Sequence, residues 1–351
     1  MTRPIPNWTL LLLVAVLSLL ALLSLGQGPQ APILSAWPGA LDLGRQTTGA
    51  IIGEAAPIVG EAVAVPPGTI LLEQYNQASV LQDSAAGGSV RFFRRELAGG
   101  GSLAYFVVML DEQTRVRIVN ADGATPTSDP SGDTIWAGGG LHLATVQEMV
   151  NAPYAARPGE TLLGATNFGF FGARTSSEGT VMIDGQVLRV NPWRAAVCVT
   201  RDARAMIGLF NEQQLIASGC EQAFGAGPVF LWNGKIVNPE VASEDSEFIP
   251  FNPLGENFTQ LQDRIRYYMD ASPKTVVGIG TREDGRSFLV LATSVGVPGI
   301  ELARHLRGMG CTAVLGADSG SSTQMVWRGA PLADRPPREV ADALAVYVAE
   351  P

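Results

Sequence analysis

The longest unbroken apolar run comes first: Trp8 to Leu25 reads WTLLLLVAVLSLLALLSL, without a charge and apolar on every helical face, after Arg3. A stretch of about 18 residues is near the minimum that spans a bilayer as a helix, so the pattern predicts export. Residues 1–26 are read as a signal anchor in preference to a cleaved signal peptide, although Ser24 and Gly26 are small enough for cleavage before Gln27. Residues 27–68, rich in Gly, Pro and Ala, keep neither period and read as a flexible spacer.

From about Ile70 the pattern changes to short strand-like runs, and a domain is expected over residues 69–351. SVRFFRREL (89–97) and SLAYFVVMLD (102–111) are strand-like, and TRVRIVNADG alternates up to an Asp-Gly turn that suggests a hairpin. LHLATVQEMVNAP (141–153) is the first helical pattern, ended by Pro153. TVMIDGQVLRV, AAVCVT and PVFLWNGKIV read as strands, the last turning at Asn233-Gly234. TVVGIG and SFLVLAT form a hairpin through Asp284-Gly285. Residues 299–327 read as helix, buried strand and Gly/Ser-rich turn, with Ile300, Ala303 and Leu306 on the inner helical face. The sum is an α+β fold: one mixed, sheet-rich domain with a few helices, behind an N-terminal transmembrane or signal helix and spacer.

Composition narrows the chemistry. Net charge is −9 without a basic run, which excludes nucleic acid as a partner, and a charged fraction of 16% with 40 glycines suits tight-turned sheets. Two histidines and three cysteines without CxxC spacing build no zinc site. Pairing of Cys198 with Cys220 and burial of both as small hydrophobes are equally open readings.

Four segments carry candidate chemistry. In GATNFGFFG (164–172), Asn167 offers a donor and an acceptor beside Gly169, where backbone can approach a ligand. QAFGAGPVFLWNGKIV (222–237) turns on glycines whose amides can line a site. Lys274 precedes the first hairpin strand, where a cation would neutralise phosphate oxygens. In the fourth, Asp318 ends a buried strand within a turn of small residues, followed by Gly320, Ser321 and Ser322. Glu301 lies in the first turn of the preceding helix, where a carboxylate also serves the helix dipole.

These segments, in this order, resemble the phosphodiester glycosidase family over roughly residues 100–350. ADSGSST resembles the family's Asp-Gly-Gly-Gly-Ser-Ser signature at Asp318, Gly320, Ser321 and Ser322, with Ser319 a departure whose Cβ would cost energy at positive φ. Lys274 resembles the basic residue of Pro-Arg-Thr, with the bidentate grip of arginine lost. Where many relatives carry Asp-Gly-Arg, this chain has Ala292, Thr293, Ser294, Val295 and Gly296. The resemblance implies hydrolysis of a sugar-1-phosphodiester in an extracytoplasmic glycan or glycoconjugate. Asp318 is then the main carboxylate and Glu301 the second, while Asn167, Gly169, Lys274, Gly320, Ser321 and Ser322 hold substrate. The implied partners are a phosphodiester-linked glycan or sugar-phosphate, and the membrane through the N-terminal helix. The expected location is the extracytoplasmic face of the cell membrane, or outside the cell if the first segment is cleaved.

No cofactor or metal is demanded by ligand spacing, and a divalent cation on Asp318 and nearby oxygens stays open. Two rival readings remain. One is a catalytically degenerate glycan-binding or envelope protein, suggested by the absent Asp-Gly-Arg. The other is a serine hydrolase using Ser319 with His142, whose surrounding GGGLHLAT is unlike a protease histidine motif.

Overall fold

The computed structural model describes residues 68–120, 126–128, 134–136, 143–171, 179–258, 261–332 and 336–349. The apolar run Trp8–Leu25, nearly all of the spacer, the Asp122-Gly123 turn and His142 lie outside them. Among the described residues no helix is long and apolar enough to cross a membrane.

In chain order the elements are α1 (Gly68–Asn76), β1 (Val80–Ala85), β2 (Val90–Glu96), β3 (Ser102–Met109), β4 (Thr114–Asn120), β5 (Pro126–Ser128) and β6 (Thr134–Trp136). There follow α2 (Val146–Asn151), β7 (Glu160–Asn167), β8 (Val181–Ile183), β9 (Gln186–Arg189), β10 (Ala196–Thr200), β11 (Ala205–Gly208) and α3 (Glu212–Ala217). The second half holds β12 (Cys220–Gly225), β13 (Val229–Trp232), β14 (Lys235–Val237), β15 (Phe248–Ile249), α4 (Leu261–Met269), β16 (Lys274–Thr281) and β17 (Ser287–Val295). The last are α5 (Gly299–Gly308), β18 (Ala313–Gly316), β19 (Met325–Trp327), β20 (Ala330–Pro331) and β21 (Asp342–Ala349).

These strands build a nine-stranded sheet in the order β1-β2-β3-β17-β16-β18-β13-β14-β15, and two five-stranded sheets, β11-β10-β12-β8-β9 and β20-β19-β7-β21-β4. A sheet-rich core with few helices is what an α+β reading requires. The middle of the large sheet reads as continuous apolar sequence because both of its faces are covered. Helices α1 and α5 pack on one side, and strands β7 and β11 of the smaller sheets on the other. Phe106 of β3 meets Phe92 at 5.4 Å and Trp327 of β19 at 5.2 Å between ring centroids, an aromatic seam between two sheets. Truncating such a buried ring costs about 3–5 kcal/mol.

The hairpins at Asn233-Gly234 and Asp284-Gly285 form where turn chemistry predicts them. Three expectations change. The chain enters as helix α1 where strand-like runs were expected from Ile70. Helix α2 starts at Val146 because Thr145 caps it reciprocally with Glu148. Asp111 accepts from the amides of Gln113 and Thr114, and this turn delivers β4 to another sheet than β3, beside β21; the hairpin expected at Asp122-Gly123 lies outside the described residues. On α5 the buried stripe is Gly299, Leu302, Ala303 and Leu306, leaving Ile300 half-buried. Cys198 of β10 and Cys220 of β12 form a disulfide, whereas Cys311 is free and buried. Closing a loop of this length contributes about 3 kcal/mol in the chain-entropy account.

Candidate functional site

Strand β18 is buried throughout, and its end is fixed before the chain turns. The Gly316 amide donates to Pro228 O at 2.8 Å, and the Gly227 amide donates to Gly316 O at 2.9 Å. Gly227 has φ +100°, and a Cβ there would stand 2.4 Å from Glu256 Oε1, so no other residue fits this turn. Glu256 is buried with Arg194, Nε to Oε1 3.5 Å, and accepts from the amides of Ala195 and Val229. Burial pushes the Glu256 carboxyl up, against the opposing pull of Arg194 and the two amides.

One residue further on, the Ala317 amide donates to Thr275 O and the Asp318 amide to Phe168 O, both at 2.8 Å. Asn167, wholly buried, closes the arrangement. Its Nδ2 donates to Asp318 O at 2.5 Å, while its Oδ1 accepts from Thr275 Oγ1 at 2.8 Å and from the Gln324 amide at 2.9 Å. A single amide side chain thus ties β7, β16 and the 318–324 segment together. The Asp318 side chain is half-buried, and its Oδ1 accepts from the Ser319 amide at 2.9 Å. Asn167 is therefore a clamp on the backbone of Asp318.

Ser319 has φ −130° and ψ −169°, extended backbone open to any residue, so the cost expected for its Cβ does not arise. The positive φ, +66°, falls on Gly320. The Ser319 hydroxyl donates to Ala317 O at 2.9 Å and receives the Thr275 amide at 3.3 Å, which turns it inward. A serine nucleophile needs its hydroxyl presented to substrate and base. The second histidine of the chain, His305, instead bonds the Tyr75 hydroxyl at 2.9 Å.

Ser321 is exposed and Ser322 buried, and both hydroxyls accept from Arg338 Nη1, at 3.4 and 3.3 Å. Gln324 Nε2 donates to Arg338 O at 2.6 Å, and the guanidinium lies 5.2 Å from the Phe171 ring centroid. The Gly169 amide donates to Asp342 Oδ1 at 2.6 Å, and that carboxylate is 1% exposed. Arg338 and Asp342 were missed by sequence reasoning. The available signals were an arginine closing the run RPPR and a lone carboxylate opening an otherwise apolar strand.

Two predicted residues are not brought to this turn. Neighbouring residues of a strand face opposite sides. Thr275 faces Asn167, so Lys274 points to the other face, wholly buried. Its ammonium is held by Asp270 O and Oδ1 at 2.8 and 3.0 Å and by Ser272 O and Oγ at 2.9 and 3.1 Å. Burial pulls the Lys274 ammonium below the usual lysine range, against the pull of Asp270. It caps the carbonyls that follow α4, where a cation is favoured. Glu301 is exposed on α5 and paired with Arg304, which also reaches Glu247 at 3.0 Å. Among the described residues no three His, Cys, Asp or Glu side chains stand together as a metal cage.

This sheet-borne turn presents one carboxylate beside serine hydroxyls and a guanidinium. The phosphodiester glycosidase family profile matches residues 160–347, more than half of the chain, and the chain belongs to that family. Its fold is similar to that of a hypothetical protein from Synechocystis, with TM-score 0.52 and 13% identity, over 74% of this chain and 62% of that one. It is also similar to the zebrafish N-acetylglucosamine-1-phosphodiester alpha-N-acetylglucosaminidase catalytic domain, auto-inhibited by its pro-peptide, with TM-score 0.50 and 15% identity, over 83% of this chain and 96% of that one. No curated protein matches the sequence.

Proposed function

We propose that the protein hydrolyses a sugar-1-phosphodiester in an extracytoplasmic glycan or glycoconjugate, with Asp318 as its principal carboxylate. The observation that carries this is the fixing of the Asp318 backbone from both sides, by Phe168 O and by the Asn167 amide, while its carboxylate stays half-exposed. A carboxylate so held stabilises positive charge at the anomeric carbon or activates water. Arg338 and the Ser321 hydroxyl supply charge and hydrogen bonds for the phosphate oxygens. Asn167 acts as a positioning residue, and Asp342 holds the Gly169 amide. Lys274 and Glu301 take no part in this scheme. The disulfide fits an oxidising compartment, in keeping with export through the N-terminal apolar run.

The test is release of free N-acetylglucosamine from methyl mannose 6-phosphate bearing that sugar on its phosphate. Asp318→Asn is expected to lower kcat/KM about 10²–10⁴-fold with an unchanged melting temperature. Undiminished release in that variant would sink the assignment. A chelator separates this scheme from one with a divalent cation on Asp318: an unchanged rate supports the first, and a lost rate the second.

A second reading, a glycan-binding module without turnover, draws support from the full engagement of Lys274 and from the stretch Ala292 to Gly296 standing where many relatives carry Asp-Gly-Arg. Measurable binding of the same compound without release of sugar favours it.

A further inference from the structure

A cavity of about 370 Å³ lies beside the 318–324 segment, at the same edge of the large sheet from which Asp318 emerges. Its floor is a row of directly paired residues: Arg94 on β2, Ala104 on β3 and Thr293 on β17, with Glu96, Ser102 and Val295 one step along. Residues directly opposite in antiparallel strands share a face. Thr293 pairs with Thr275, whose hydroxyl bonds Asn167, so the row and the Asp318 clamp occupy one face. At about 4.8 Å per strand, Thr293 stands roughly 10 Å from the Ala317 backbone that bonds Thr275 O.

Three polar residues of the lining are weakly engaged. Among the described residues neither Arg94 nor Glu96 has an ion-pair partner; Arg94 reaches only Leu332 O, at 3.4 Å, and lies over Phe92. Thr293, 9% exposed, has its hydroxyl against the Met325 sulfur at 3.8 Å, a weak acceptor. Ala104 leaves space, and Val295, 53% exposed, offers an apolar rim. A cavity above about 300 Å³ that mixes a few polar groups with apolar walls is the form of a small-ligand site. Hydroxyl edges suit Arg94, Glu96 and Thr293, and the apolar face of a pyranose suits Ala104 and Val295.

We propose that this cavity is an accessory subsite for the sugar on the far side of the phosphate. This rests on the proposed function, with the phosphate beside Asp318 and its second substituent reaching across two strands. Arg94 and Glu96 then grip hydroxyls of that sugar and set which glycan is accepted.

The experiment compares two substrates on the full chain: N-acetylglucosamine 1-(methyl phosphate), and the same sugar phosphate joined to C6 of methyl mannoside. In Arg94→Ala and in the cavity-filling Ala104→Phe, KM for the two-sugar compound is expected to rise about tenfold, the scale of one charge-assisted hydrogen bond, with kcat and the methyl ester unchanged. Equal effects on both compounds, or none on either, overturn the subsite. If neither compound is hydrolysed, the proposed function fails separately, and calorimetry with methyl mannose 6-phosphate decides the cavity. Binding lost in both Arg94→Ala and Ala104→Phe upholds it, whereas no binding, or binding indifferent to both changes, overturns it. Arg94 is exposed, so its variant tests the subsite even where Ala104→Phe fails to fold.

Discussion

The two ends of β7 are held in opposite ways. At its start Glu160 takes a bidentate grip from Arg117, 3.0 and 2.6 Å, with side-chain exposures of only 10% and 7%. Arg117 also donates to Ala155 O at 2.7 Å and lies 4.0 Å from the Tyr347 ring centroid. At its end Asn167 makes its contacts with neutral groups alone, two of them backbone. The ionic end locks three elements of one sheet far from the site. The neutral end sets the position of the Asp318 carboxylate without adding a charge that would shift its protonation. A strand can thus anchor the fold at one end and fix the Asp318 turn at the other.

The largest effect that can break this comparison is expected from Arg117→Ala. Removing one partner leaves Glu160 buried without its counter-charge, at a cost of about 3–5 kcal/mol by urea unfolding. Activity per folded molecule is expected to be unchanged; a fall in kcat would show that the ionic end also serves the site. Next is Asn167→Ala, which leaves the Gln324 amide and the Thr275 hydroxyl without their acceptor and Asp318 O without its donor. Buried groups left so cost about 1–3 kcal/mol each before relaxation, so a net loss of about 2–3 kcal/mol is expected. Here kcat is expected to fall about tenfold or more in the folded fraction, because the Asp318 turn loses its clamp. Full activity after this change would reduce Asn167 to a packing residue.

The smallest effect separates the two ends by pH. Burial raises the Glu160 carboxyl, but the Arg117 hydrogen bonds, the Arg157 amide and the two positive charges outweigh it and leave it below the usual 4.5. A depressed folded value means the stabilisation is whole above pH 4.5 and is lost as pH falls through the folded value. Glu160→Gln keeps an acceptor for Arg117, so it is expected to cost only about 1–2 kcal/mol near neutrality, with the gap closing in acid. A gap that stays constant down to pH 3 contradicts the ionic account.

Much of the frame was legible in the sequence because it rests on local rules. Asn233-Gly234 and Asp284-Gly285 fix hairpins through dihedrals that few other residues adopt, and the apolar stripe of α5 follows helical period. The order of the motifs around Asn167 and Asp318 pointed to the family. Arg338 and Asp342 escaped notice because neither sits in a motif of its own; their meaning comes from segments more than a dozen residues away. Lys274 misled for a reason of parity. It is adjacent to Thr275, and alternation along β16 sends one side chain toward Asp318 and the other to the opposite face.

The sequence alone therefore determined most of the segments that become strands and turns, that Asp318 lies just beyond the buried strand β18, and to which family the chain belongs. These follow from near-neighbour dihedral preference, hydrophobic period and motif order. Only the tertiary structure decided that Asn167 grips backbone, that Lys274 is spent on Asp270 and Ser272, and that Arg338 meets the serine pair. The Asn167 and Arg338 bonds join distant segments and depend on strand register and sheet packing, while the fate of Lys274 depends on which face of the sheet β16 gives it; no stretch of sequence short enough to carry a motif encodes either.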